Sequence, residues 1–429
     1  MKYHPVDNAL FRLNRDNFRK MMKPDAVAFF HAGDFVHRSS DQVYPFRQNA
    51  DFFYLTGIEQ EKCVLMLFPN SPNPELREVL FLQPSNEHIS LWEGDRISKK
   101  RANDISGVER VCWLSEFEAM QKEAMVYATC VYLNTPENPR GMRGKYSQDL
   151  EFALKLKDQY PAHHYLRANP LLGNLRMVKS IPEQELIRKA VDITGKAIQR
   201  VMKFVKPGVG EYEVEAEIIH EYIRNRAGGH AFYPVVASGA NACVLHYNAN
   251  NRMCKDGDLL LIDTGAEYAN YAGDISRTIP VNGRFSQRQK KVYDACLRVM
   301  KFARELLVPG NNLSEYHKEV MHFMEKELIA LGLFTSADLK NQDTENLLVK
   351  KYFPHGTSHF LGLDVHDEGH RFVRFQPGMV LTCEPGIYIR EEGIGVRIEN
   401  DLMITENGPV DLSFDLPLET EEIEEIMNS

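Results

Sequence analysis

The stretch LLLIDTGAEYANYAGDISRTIP, residues 259–280, has the aliphatic character of a buried strand, yet it carries two aspartates, Asp263 and Asp274. A second stretch, MVLTCEPGIYIREEGIGVRIENDLMI, residues 379–404, repeats the pattern with Glu384 and Glu399. Each reads as a β-hairpin. If Asp263 faces Asp274, the first turn centres between Tyr268 and Ala269; if Glu384 faces Glu399, the second centres between Glu391 and Glu392. Residues opposed in this way share one face of the sheet, with Cβ atoms ~5 Å apart. Four acids on such a face cannot all ionise without a counter-charge. Glu391 and Glu392 fall in the turn itself and read as solvated.

A further set of donors lies in FPHGTSHFLGLDVHDEG, residues 353–369, where His355, His359 and His366 cluster in a glycine-rich frame. His359 stands between Ser358 and Phe360, so strand alternation can turn it inward. Carboxylates with an imidazole suit borderline-to-hard divalent ions, Mn²⁺, Co²⁺ or Zn²⁺, better than a thiolate zinc site does. Facing carboxylates could bridge two such ions ~3.5–4 Å apart.

The elements that must position these groups come in two similar sets. MKFVKPGVGEYEVEAEIIHEYIRNRAGG reads as a helix end, a Pro-Gly turn and a second helix closed by glycine. ARELLVPGNNLSEYHKEVMHFMEKELIALG repeats that plan, and each helix pair precedes one of the acidic hairpins. Two such halves packed face to face would bring the hairpins together. Ser180 and Glu183 have capping-box spacing, with Pro182 in the first turn, and mark the helix that opens this region. Before it, VDNALFRLNRDNFRKMM has helical spacing, DAVAFFHAG, CVLMLFP, EVLFLQP and VYLNT read as strands, and SQDLEFALKLKDQY reads as a helix. The expectation is an α/β domain over residues 1–175 and a second domain over 176–429, with PAHHYLRANPLLGNLRMVKS as the connection.

Composition narrows the class. The chain has 429 residues, 43% hydrophobic and 26% charged, which suits a soluble globular protein with a substantial core. No run approaches the ~18 apolar residues of a membrane helix, and the N-terminal MKYHPVDNALFRLNRDNFRK lacks a signal-peptide core. Seven scattered cysteines without a CxxC pair read as reduced thiols in a cytoplasmic protein. A net charge of −9 argues against nucleic acid as a partner, and LETEEIEEIMNS reads as a solvated terminal helix.

The motifs DTGAEYANYAGDISRTIP, HGTSHFLGLDVHD, EPGIYI and VRIEND, in that order, resemble those of the pita-bread metallopeptidases, the group of methionine aminopeptidase, prolidase, aminopeptidase P and creatinase. The N-terminal YPFRQNADFFYLTGIEQ is similar to the corresponding segment of aminopeptidase P proteins. The resemblance implies an α/β (α+β) architecture: a mixed, creatinase-like N-terminal domain followed by a pita-bread domain with a pseudo-twofold repeat. It implies five ligands, Asp263, Asp274, His359, Glu384 and Glu399, for two divalent ions, Mn²⁺ first with Co²⁺ or Zn²⁺ as alternatives. It implies that a metal-bridging hydroxide attacks the carbonyl before proline, with Glu384 as general base. His246 and His366 match the histidines that hold substrate and stabilise the tetrahedral intermediate, and His355 matches one near the proline side. Arg397, two residues before Glu399, could neutralise the acid-rich site, and Tyr388 shares the face of Glu384.

The implied activity is release of the first residue from peptides whose second residue is proline. Prolidase, which takes Xaa-Pro dipeptides, is the nearest alternative, and a non-catalytic binding protein on the same fold is a more distant one. The resemblance also implies a homo-oligomer, a dimer or tetramer, in which Asp41 and Trp92 belong to segments that complete a neighbour's site.

Overall fold

The hydrophobic runs of the first region pair as a six-stranded mixed sheet. The computed structural model describes residues 2–135, 137, 147–343, 346–413 and 415–429, which divide into two compact units, Tyr3–Leu175 and Arg176–Ser429. In the first unit the strands of this sheet are β1 (Ala26–His31), β2 (Val64–Leu67), β3 (Glu78–Leu82), β4 (Arg110–Trp113), β5 (Cys130–Leu133) and β6 (His164–Arg167), in the spatial order β4-β3-β2-β1-β5-β6. Strand β1 is buried throughout, because sheet neighbours flank it on both edges and helices pack on it. One face is filled by Phe29, Met66, Phe81 and Val131, with the rings of Phe117 and Phe152 meeting Phe29 edge-on. The stretch expected to be a connection is ordered: it holds the edge strand β6 and the helix Asn169–Met177, whose Pro170 falls in the first turn, where a missing N–H costs nothing. Asp41 and Trp92 are exposed in this unit, on a small hairpin turn and at the end of the helix Glu87–Trp92.

The second unit opens with helix α1 (Ile181–Phe204), whose capping box joins Ser180 and Glu183 as the spacing predicts. Helix α2 (Glu211–Arg224) packs on it, and α3 (Gln287–Glu305) and α4 (Leu313–Ala330) form the second pair. The terminal acidic segment forms the helix Thr420–Met427, and it is more than a solvated tail: Thr420 and Ile423 are buried, leaving its glutamates on the outer face.

Each helix pair is followed by its acidic hairpin. Strands β7 (Val235–Ser238), β8 (Leu259–Thr264) and β11 (Ile275–Pro280) form one sheet, and β8 and β11 continue into β9 (Ala266–Tyr268) and β10 (Tyr271–Ala272). Here the register differs from expectation by two residues. Asp263 faces Ser276, and Tyr268 faces Tyr271, so the turn residues are Ala269 and Asn270, both at positive φ (50° and 64°). That is the geometry of a two-residue turn whose twist matches the strands. A slip of two leaves every side chain on its original face, whereas a slip of one would have turned the aspartates away. Between the two strand pairs the hairpin bends at Gly265 and Gly273, and a Cβ on Gly265 would stand 1.7 Å from the Gly273 carbonyl oxygen.

The second hairpin keeps the expected register along its whole length. Strand β12 (Val380–Cys383) pairs with β15 (Asn400–Thr405), and β13 (Gly386–Ile389) pairs with β14 (Ile394–Arg397). The ladder breaks between them at Glu384-Pro385 and Ile398-Glu399, because proline has no N–H to contribute. The freed backbone groups turn elsewhere: the Glu384 N–H donates to Thr357 and the Glu399 N–H to Ser276. Strand β16 (Gly408–Asp411) completes the sheet beside β15.

Candidate metal centre

Both acidic hairpins reach one place because strand β11 of the first lies against the break in the second. Arg277, fully buried, donates from Nη1 to the carbonyls of Ser276 (2.9 Å) and Glu399 (2.7 Å) and from Nη2 to Asn400 Oδ1 (2.7 Å). The Ser276 hydroxyl donates to Glu399 Oε2 (2.7 Å). The Asp274 N–H donates to Asp401 Oδ2 (2.9 Å), an acid of the second hairpin that pattern reading did not single out.

The acids crowd together. One donor atom each from Asp274, His359 and Glu399 lie within 4.8 Å of one another. His359 Nε2 is 3.4 Å from Asp274 Oδ2 and 3.8 Å from Glu384 Oε1. His359 Nδ1 sits 3.0 Å from the Phe360 carbonyl, which places a proton on Nδ1 and leaves Nε2 as the nitrogen directed at the acids. Asp263 stands apart from this trio: its Oδ2 takes a 2.6 Å ion pair from Arg397 Nη2, and its Oδ1 is buried with no hydrogen-bond partner.

Electrostatics follow from the packing. Burial, then the charges of Asp263, Asp401 and Glu384, push the Asp274 carboxyl well above the ordinary range. Burial, then Asp274, Glu384 and Asp263, do the same to Glu399. Glu384 is raised by burial, with His359 and Arg397 opposing. One guanidinium, Arg397, is shared among Asp263, the Ser276 hydroxyl (2.9 Å) and the Tyr388 hydroxyl (2.9 Å). Tyr388 OH in turn lies 2.8 Å from His355 Nε2, and burial first, then Arg397, lower the His355 imidazole to about 3. Two buried guanidiniums, Arg397 and Arg277, stand against the five acids Asp263, Asp274, Glu384, Glu399 and Asp401, which leaves a deficit of positive charge. The surplus of oxygen donors, one imidazole nitrogen and the orphaned Asp263 Oδ1 fit divalent cations of hard or borderline character.

The loop that carries His359 and His366 is fastened independently. The Leu361 N–H donates to Val380, the Asp367 N–H to Phe360, and the Ala272 N–H of the first hairpin to Gly362. The Asp367 carboxylate, buried, accepts from Lys179 Nζ (2.9 Å) and Arg176 Nη2 (2.5 Å). The His366 ring meets the His359 ring edge-on, centroids 4.4 Å apart. His246 sits on a separate exposed loop, near enough for its charge to act on His355. Asp401, Lys179 and Arg176 thus join the site without any local signal; only their long-range partners reveal them.

Comparison with known proteins agrees with this architecture. Residues 185–406 match the model of metallopeptidase family M24, and residues 11–132 match the aminopeptidase P N-terminal domain. The chain is 35% identical to Xaa-Pro aminopeptidases of Haemophilus influenzae and of Escherichia coli, over 97% of both chains in each case. The structure of E. coli aminopeptidase P in its low-pH form superposes with a TM-score of 0.90 at 34% identity, and the same enzyme with the inhibitor Pro-Leu with 0.89 at 35%, each over 99% of both chains. With that similarity the second unit has the pita-bread fold and the first the aminopeptidase P type of mixed α/β domain. The chain therefore belongs to metallopeptidase family M24, and it is a metallo-aminopeptidase.

Proposed function

We propose that this aminopeptidase releases the N-terminal residue from peptides with proline in the second position, as the names of its relatives indicate for them, and that Asp263, Asp274, His359, Glu384 and Glu399 hold two divalent ions. The observation that carries the reading is the convergence of Asp274, His359 and Glu399 donors within 4.8 Å, in a cluster whose acids outnumber the guanidiniums of Arg397 and Arg277 beside it. Bound there, divalent ions would supply a water acidic enough to attack near neutral pH and a Lewis acid for the scissile carbonyl. Mn²⁺ is the first choice, with Co²⁺ and Zn²⁺ compatible with the same donors.

The chain's own groups divide the remaining work. Glu384 Oε2 is 3.7 Å from His355 Nδ1 and Oε1 faces His359, so it can take a proton from the attacking water and return it to the leaving nitrogen. His246 and His366 are exposed on two loops and serve to donate hydrogen bonds to the substrate carbonyl as charge develops. His355, kept neutral by burial, lines the proline side. Arg397 anchors Asp263 and Tyr388 and fixes the field in which Glu384 titrates.

Seven free, buried cysteines suit a reducing, cytoplasmic compartment, and no helix among the described residues is long and apolar enough to cross a membrane. Exposed Asp41 and Trp92 are assigned to contacts in a homo-oligomer. The test is a competition in which Mn²⁺-loaded protein receives equal amounts of an Xaa-Pro dipeptide and an Xaa-Pro-Pro tripeptide, with products followed by mass spectrometry. Preferential release of the first residue of the tripeptide is expected. Cleavage of the dipeptide alone would make the protein a prolidase, and cleavage of neither would overturn the reading.

A further inference from the structure

Glu211, the first residue of α2, is fully buried and forms no ion pair among the described residues. Its carboxylate is held by hydrogen bonds alone. Oε1 accepts from the Ser238 N–H (2.7 Å), the Ser238 hydroxyl (2.8 Å) and Asn241 Nδ2 (3.3 Å). Oε2 accepts from the Tyr247 hydroxyl (2.8 Å) and the Arg252 N–H (2.9 Å). The Arg252 guanidinium is committed elsewhere, to Asp258 (3.2 Å) and the Ser238 carbonyl (2.9 Å).

These donors share a location. All belong to the segment from Ser238 to Arg252, which leaves strand β7, makes one 3₁₀ turn over Gly239–Cys243, and returns without further regular structure. Its two ends bind the same carboxylate, and the Glu211 N–H closes the circuit to the Arg252 carbonyl (2.9 Å). The loop is therefore tied like an Ω-loop around one buried anion, and His246 stands on it, next to Tyr247. A carboxylate suits this place because it only accepts and offers two oxygens to several donors, while the N-terminus of α2 favours the negative charge.

We propose that Glu211 is the positioning residue for His246: it closes the Ser238–Arg252 loop and so fixes where that imidazole meets the peptide. The proposal rests on the reading of His246 as a substrate-binding group, so its test has one arm that needs no turnover. In protein labelled with ¹³C at its histidines, the His246 resonance is identified by its loss in His246→Ala. It is expected to shift or broaden in Glu211→Gln and Tyr247→Phe, while the His355 and His359 resonances hold their positions.

The second arm is a double-mutant cycle on kcat/KM of the Mn²⁺-loaded enzyme. Glu211→Gln is expected to lower kcat/KM about tenfold or more alone, and less than about twofold in the His246→Ala background, as groups acting through one another do. Tyr247→Phe, which removes one donor and spares the rest, is expected to give the same pattern at about two- to fivefold should the Glu211 variant fail to fold. An unmoved His246 resonance, or equal losses in both backgrounds, overturns the proposal. If the wild-type enzyme cleaves no Xaa-Pro peptide, the functional reading fails separately and the resonance decides this one.

Discussion

Replacing Asp367 by asparagine tests how the histidine loop is fastened. Asp367, Lys179 and Arg176 are each almost wholly buried, and the aspartate carries both ion pairs. Burial alone would raise its carboxyl, but Lys179 and Arg176 more than offset this and hold it below the ordinary value. Removing one partner of a buried pair costs about 3–5 kcal/mol, because the other charge is left uncompensated. Here Arg176 keeps Asp364, at 2.8 Å and 41% exposed, so the orphan is Lys179, whose ammonium keeps the Met177 carbonyl at 3.5 Å as its hydrogen-bond partner among the described residues. The lower end, about 3 kcal/mol, is therefore expected. At roughly 2–4 °C per kcal/mol for a unit of this size, Asp367→Asn should lower Tm by about 6–12 °C at pH 7. A group whose folded pKa is depressed contributes fully above its unfolded value and loses that contribution as pH falls through the folded one. The gap between wild type and variant should thus stand undiminished at neutral pH and close only on the acid side of the ordinary aspartate range. Calorimetry across pH measures it. A shift under about 2 °C at pH 7, or a gap that widens toward acid, refutes the reasoning.

Asp263→Asn should lower kcat/KM by at least about a hundredfold, more than loss of an outer-shell partner costs, with an unchanged circular dichroism spectrum, since the amide can still accept from Arg397; near-normal turnover would remove Asp263 from the ligand set. In the chelated enzyme, Asp274, Glu384 and Glu399 have carboxyls raised by burial and mutual repulsion. Their contribution is present at low pH and lost as pH rises through the raised values, so Tm of the chelated form should fall relative to the Mn²⁺-loaded form as pH rises above the ordinary carboxylate range, which a paired melting series would reveal. Gly362→Ala places a Cβ 2.2 Å from Asp367 Oδ2 and 2.9 Å from Lys179 Cε; it should cost about 1–3 kcal/mol, and its Tm loss should combine less than additively with that of Asp367→Asn.

What pattern could reveal ends where partners become remote. The second hairpin was legible to the residue because its turn, REEGIG, is the one polar interruption and Glu384-Pro385 breaks the ladder without shifting it. The first was legible by face but not by register, because Ala269 and Asn270 take up the left-handed turn that polarity alone would not distinguish from its neighbours. The helix Asn169–Met177 was missed because Pro170 and Gly173 resemble a linker, while its packing overrides their weak propensity. Asp367 and Asp401 close the motifs HGTSHFLGLDVHD and VRIEND, yet nothing local tells their role, and Glu211 carries no local mark. Each matters through hydrogen bonds or ion pairs to residues far along the chain, and only folding brings those donors within reach.

The proposed ligand cluster has a temporal side. Asp274 comes from the first hairpin, His359 and Glu399 from the second half of the repeat, and the buried Arg277 clamps the halves together. A nascent chain that has emerged only through Asp274 holds two of the five proposed ligands, both aspartates, and lacks His359, a poor trap for any ion. On the proposed ligand assignment, metal capture would follow the docking of the halves, with the ion chosen by a finished cavity from whatever the compartment supplies rather than by loose carboxylates during synthesis.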